Sequence, residues 1–122
     1  MKRFGITGLL AVLFAISGLG AISAGADEMT WHVRSESSHT VHLQFYSDSH
    51  VWPSSDRVYI IDDADVHDYD LSCATGEKVC YGAWVKNHSS SYWGSGYDGQ
   101  EACDSCCFTC GGGPLPTMVL NR

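Results

Sequence analysis

Residues 103–110, CDSCCFTC, place four of the chain's six cysteines in eight consecutive positions. Sulfur at that density commits the local backbone to a disulfide framework, a metal cage or a redox pair, and each demands a different fold around it. The other two cysteines, Cys73 and Cys80, bracket the segment CATGEKVC.

The N-terminus bears on the choice. Lys2 and Arg3 supply a short positive region, Phe4 to Ile22 is apolar and uncharged, and Ala24-Gly25-Ala26 offers small residues before the polar Asp27. This is the pattern of a cleaved secretory signal, so residues 1–26 are expected to leave and residues 27–122 to remain as a single disulfide-rich β domain. Gly18, Gly20 and Gly25 argue against a retained anchor, and no membrane association is expected after cleavage. The expected location is secreted or periplasmic. All six cysteines follow the signal. A domain this small buries a limited core, and an even cysteine count in an oxidising compartment fits three disulfides.

Apolar periodicity reads as strand. In TVHLQFYS, Val41, Leu43 and Phe45 alternate with polar or half-polar residues, and in TWHVRS, Trp31 and Val33 share a face. The two segments are expected to form a hairpin around SESSH, with Val33 opposite Leu43 and Trp31 opposite Phe45. That register puts every apolar residue on one side. HVWPSSDR reads as a loop, since Pro53 donates no ladder hydrogen bond. RVYIID and VHDYDLSC read as strands, the latter with Tyr69, Leu71 and Cys73 inward and Asp68 and Asp70 outward. CATGEKVC reads as a tight hairpin turn at Gly76-Glu77, VCYGAWV as the returning strand, and KNHSSSYWGSGYDG as a polar, aromatic loop. The fold class expected is mainly β, a small antiparallel sandwich or open barrel.

The C-terminal segment carries a helical signature. Asp98 and Glu101 stand at capping-box spacing, Gly111 suits a helix stop, and Cys103, Cys106, Cys107 and Cys110 fall at i, i+3, i+4 and i+7. A short helix would therefore present four sulfurs on one stripe. Docked on a Cys73/Cys80 hairpin, it would form two bridges to Cys73 and Cys80 and one bridge within the segment, by C-x-x-C or by the adjacent Cys106 and Cys107. Six cysteines allow about fifteen connectivities, and spacing does not choose among them. The alternative is a metal-binding or thiol-redox protein that uses the C-x-x-C-C-x-x-C run. Against it, zinc sites separate their two ligand pairs by a longer loop, and thioredoxin-like chemistry wants a βαβ context.

The remaining residues narrow function mostly by exclusion. The net charge of −7, more negative once Lys2 and Arg3 are gone, repels phosphate backbones, so no nucleic-acid partner is expected. DDADVHDYD brings Asp62, Asp63, Asp65, Asp68 and Asp70 together, but lacks the central glycine and late glutamate of an EF-hand loop. Six histidines include His32 and His42, which the expected hairpin would place on one outward face. Asn87-His88-Ser89 is a glycosylation sequon of use only in a eukaryotic host. No nucleophile–base motif stands out, so no enzymatic role, cofactor or resident metal is expected. Tyr92, Trp93 and Tyr97 lie among small residues in SYWGSGYDG, where aromatic faces are able to stack on a sugar ring or a protein partner.

The blocks CYGAW, YWG and C-x-x-C-C-x-x-C, spread over most of residues 27–122, resemble small exported cysteine-rich bacterial proteins. The resemblance implies a bacterial, exported origin and carries no activity with it. Together the readings describe an exported non-enzymatic structural or binding domain, held by three disulfides and touching an unknown protein or glycan through its aromatic loop.

Overall fold

Alternating burial along each strand shows how the chain divides itself into two layers. A computed structural model describes residues 25–121, so the expected leader at residues 1–26 falls almost wholly outside the described residues. Nine strands follow in order: β1 (Ala26–Ser35), β2 (Val41–Tyr46), β3 (Val51–Trp52), β4 (Tyr59–Ile61), β5 (His67–Ala74), β6 (Lys78–Val85), β7 (His88–Gly94), β8 (Cys107–Thr109) and β9 (Thr117–Leu120). They form a three-stranded sheet, β5-β1-β9, and a six-stranded sheet, β3-β2-β6-β7, with β4 also on β2 and β8 also on β6. Pairing is antiparallel except for β1 with β9, which is parallel. The expected mainly β class holds, with no closed barrel.

The inner faces share one core. Met29, Trp31 and Val33 of β1 and Leu71 of β5 meet Val41, Leu43 and Phe45 of β2 and Val79, Tyr81 and Ala83 of β6. Trp31 is its centre, 1% exposed, with the Phe45, Phe108 and Tyr81 rings at 4.9, 5.3 and 6.1 Å. Aromatic pairs at such spacings add to plain area burial.

Several expected pairings and loops are not observed. β1 and β2 do not form a hairpin. β1 pairs with β5 and β9, β2 pairs with β3, β4 and β6, and residues 36–40 cross from one sheet to the other. Trp31 and Phe45 do meet, but across the core rather than side by side. His32 and His42 therefore lie in different sheets rather than on one face. CATGEKVC also fails as a hairpin. Glu77 N–H donates to Ala74 O at 2.8 Å and Gly76 sits at φ +91°, a tight turn with glycine where L-residues are strained. The two strands it joins nevertheless enter different sheets. The loop expected over KNHSSSYWGSG contains β7, while the expected loop HVWPSSDR holds the two-residue β3 before Pro53 ends it.

No C-terminal helix forms. Tyr97–Gly99 makes one 3-10 turn in which Asp98 is left-handed at φ +56°, so the expected capping box is absent. Beyond it the chain is irregular, then extends as β8 along β6. Gly76 N–H donates to Cys110 O and Cys110 N–H to Glu77 O, at 2.9 and 2.8 Å. Ladder bonds to β6 and its turn thus satisfy a backbone whose Ser, Thr, Asp and Gly residues form helix poorly.

Candidate functional site

The sulfurs are brought together in three bonded pairs: Cys73–Cys110, Cys80–Cys107 and Cys103–Cys106. This is the expected arrangement of two long bridges and one C-x-x-C bridge, built on an extended segment instead of a helix. Cys80 and Cys107 lie directly opposite on β6 and β8. Tyr81 N–H donates to Cys106 O at 3.0 Å, so the pair sits between ladder bonds, where Cα atoms approach most closely; here they are 3.9 Å apart. Cys73 belongs to β5 in the smaller sheet. Its bridge to Cys110, just past β8 of the larger sheet, ties the two layers together. Cys73, Cys106 and Cys110 are buried, whereas Cys80, Cys103 and Cys107 are partly exposed.

The aromatic trio divides. Tyr92 and Trp93 are neighbours on β7 and point to opposite sides of the sheet. Tyr92 is 44% exposed on the outer side. Trp93 packs toward the core, and its indole N–H donates to Asn121 O at 2.7 Å, tying down the chain beyond β9. Tyr97, 45% exposed, stands edge-on to Trp84 with centroids 5.2 Å apart.

Registers across the larger sheet put Ile60 beside His42, His42 beside Trp84, and Trp84 beside Tyr92. These four form one row on the outer face. Sequence reading turned His42 outward but did not join it with Ile60, Trp84 and Tyr92 in one row. What joins them is one outward position on each of four strands, and that row becomes visible only once the strand order is known. Gly82 lets the next loop close over the same face: a Cβ there would stand 2.4 Å from Gly96 O. The loop so held carries Tyr97 to Trp84. His42, Trp84, Asn87, Ser89 and Tyr97 line a depression of about 450 Å³. Burial and the nearby Lys86 ammonium lower the His42 pKa, favouring its neutral form.

Other clusters are already occupied. Glu77 accepts hydrogen bonds from the Ser47 hydroxyl, from Ala74 N–H at 2.8 Å and from His50 Nδ1 at 2.8 Å. These donors, Ser47 foremost, hold its pKa down at about 2. Ser49 Oγ meets the same His50 nitrogen at 3.1 Å, so the two-nitrogen relay of a serine–histidine–acid triad is not assembled. The acidic run is likewise engaged piecemeal: Asp63 with His67 Nε2, Asp68 with His32 Nδ1 and Asp70 with the Thr30 hydroxyl, at 2.7, 2.6 and 2.6 Å. Among the described residues, the one group of three or more side chains with metal-ligand proximity is Cys80, Cys106 and Cys107, their sulfurs within 4.8 Å of one another. No protein-family model, curated protein or solved structure matches this chain.

Proposed function

We propose that the protein is an exported, non-enzymatic binding module that presents the outer face of its larger sheet to a glycan, with the disulfides holding that face rigid. One observation carries the reading. Tyr92 and Tyr97 stand exposed at one end of the row Ile60–His42–Trp84–Tyr92, Tyr97 packed edge-on over the buried Trp84, beside Asn87 and Ser89. Exposed tyrosine faces supply stacking area at small entropic cost, and neighbouring amide and hydroxyl groups match sugar hydroxyls. The acidic surface favours a neutral ligand over an anionic one. Three cysteine pairs suit an oxidising compartment, and no helix among the described residues is long and apolar enough to cross a membrane.

The test is a neutral-glycan panel read by isothermal titration, with Tyr92→Ala/Tyr97→Ala as the variant. Loss of at least tenfold in affinity, with the fold retained by circular dichroism, is the expected result. Absence of any glycan binding by the parent protein, or equal binding by the variant, defeats the reading.

The close group of Cys80, Cys106 and Cys107 favours a second reading, a metal-binding or thiol-redox role for the same segment. Stoichiometric zinc or copper, or free thiols, in protein isolated from the exported fraction is the observation that would establish it. Three thiolates of this kind would suit a soft ion such as Cu(I).

A further inference from the structure

Two of the three disulfides share a solvent-open pocket of about 370 Å³, which Tyr46, Lys78, Cys80, Cys103, Cys106 and Cys107 help to line. Cys106 Sγ, bonded to Cys103, lies 3.8 Å from Cys107 Sγ, bonded to Cys80. That is near sulfur–sulfur contact, so a thiolate released at Cys106 is already against the neighbouring disulfide. The chain leading in is exposed at Glu101, Ala102, Asp104 and Ser105, where local opening costs little. Lys78 places an ammonium at the pocket wall, which favours thiolate over thiol, while Asp48 and Glu101 on the same wall oppose it. The third disulfide, Cys73–Cys110, lies outside the pocket with both residues buried.

From this geometry we infer that the Cys103–Cys106 and Cys80–Cys107 pair is a thiol–disulfide exchange site for small thiols, while Cys73–Cys110 is inert. The inference rests on the thiol-exchange side of the second reading above. An incoming thiolate attacks the partly exposed Cys103 sulfur. The Cys103–Cys106 bond breaks, a mixed disulfide forms at Cys103, and the electron pair leaves on Cys106. The Cys106 thiolate attacks Cys80, forming Cys80–Cys106 and releasing Cys107 as thiolate. Cys107 attacks the mixed disulfide at Cys103, forming Cys103–Cys107 and returning the small thiolate. Each step exchanges one S–S bond for another, and the sequence consumes neither oxidant nor reductant. Cys106 is the shuttle, and the product differs from the starting protein only in which of Cys106 and Cys107 holds Cys80.

The experiment uses the exported, oxidised protein with cysteamine, a cationic thiol suited to the acidic surface. Samples are alkylated at intervals, digested at acid pH, and mapped by tandem mass spectrometry without reduction. The expected result is a cysteamine adduct at Cys103, then Cys80–Cys106 and Cys103–Cys107 linkages, with Cys73–Cys110 intact throughout. In Cys103→Ala/Cys106→Ala, exchange at Cys80–Cys107 should slow at least tenfold. Unchanged exchange there, adducts appearing first at Cys73 or Cys110, or no adduct at all overturns the inference. The map taken before cysteamine is added separates the two levels of failure. Bound metal at that point replaces exchange with metal binding. Three intact, metal-free bonds that do not exchange defeat this inference with the second reading and leave the glycan-binding reading untouched.

Discussion

The two long disulfides are nested, and nesting makes a quantitative demand. Cys73–Cys110 joins residues 37 positions apart, and Cys80–Cys107 joins residues 27 apart inside that loop; Cys103–Cys106 spans 3. Acting alone, the chain-entropy relation assigns them about 3.8, 3.5 and 1.6 kcal/mol of stabilisation respectively. Acting together they are not independent. Once Cys80–Cys107 is closed, Cys73–Cys110 closes only the two short arms between the bridges, a ring of roughly ten residues worth about 2.7 kcal/mol. Removing either long bridge alone should therefore cost about 2.5 kcal/mol, while removing both should cost about 6 kcal/mol, or roughly 1 kcal/mol more than the sum. The variants are Cys73→Ala/Cys110→Ala, Cys80→Ala/Cys107→Ala and the quadruple substitution, with alanine chosen so that no hydroxyl is left at buried positions. Equilibrium urea denaturation gives each stability, and m-values are compared because cross-link loss expands the denatured state. Cys103→Ala/Cys106→Ala should be the mildest of the double variants. Additive or sub-additive loss in the quadruple variant, or a Cys103/Cys106 effect as large as the others, refutes the reasoning.

Gly82→Ala sets a Cβ 2.4 Å from Gly96 O, so the loop carrying Tyr97 must move; a loss of about 1–3 kcal/mol by thermal melting is expected, with a normal melt as the contrary result. Trp93→Phe keeps a ring at the sheet edge but loses the bond to Asn121 O. Hydrogen exchange of the β9 amides should accelerate by about fivefold, corresponding to roughly 1 kcal/mol, and unchanged protection there would contradict the anchoring role. The Glu77 pKa is lower in the folded chain than its ordinary 4.5, so the unfolded state binds more protons and stability falls as pH drops from about 4.5 toward 2. Glu77→Gln should flatten the stability curve in that window and cost about 1–2 kcal/mol at pH 7, less than the full shift implies because the partner His50 is half exposed and solvent screens the pair. An acid limb as steep in Glu77→Gln as in the parent chain places the titration elsewhere.

Individual strands were legible because burial writes a two-residue period into them. Trp31, Val33, Val41, Leu43, Phe45, Leu71 and Cys73 all face inward as their alternation requires. Strand partnership was not legible from the same pattern. Two consecutive strands with one apolar face each satisfy the hydrophobic effect equally well side by side in one sheet or face to face across two, since either bends Trp31 toward Phe45. What separates the cases is longer in range. β5 outcompetes β2 as the partner of β1 by offering eight paired positions, and β9 returns from the far end of the chain to take the other edge. Neither fact lies in a local window.

The cysteine segment failed as a helix for a related reason. Its i, i+3, i+4, i+7 spacing is a condition on where sulfurs point if the chain is helical, and it says nothing of where their partners are. Cys73 and Cys80 belong to different sheets, and one helical stripe presents all its sulfurs to a single surface. An extended β8 does what a helix at that position could not: Cys107 meets Cys80 across the ladder in one layer, and Cys110 reaches Cys73 in the other. The separation of Cys73 from Cys80 between layers is thus the physical cause of both the strand and the division of labour among the bridges. It leaves Cys73–Cys110 sealed as the inter-sheet staple, and it brings Cys103–Cys106 and Cys80–Cys107 out to one pocket wall, where sulfur is accessible to chemistry.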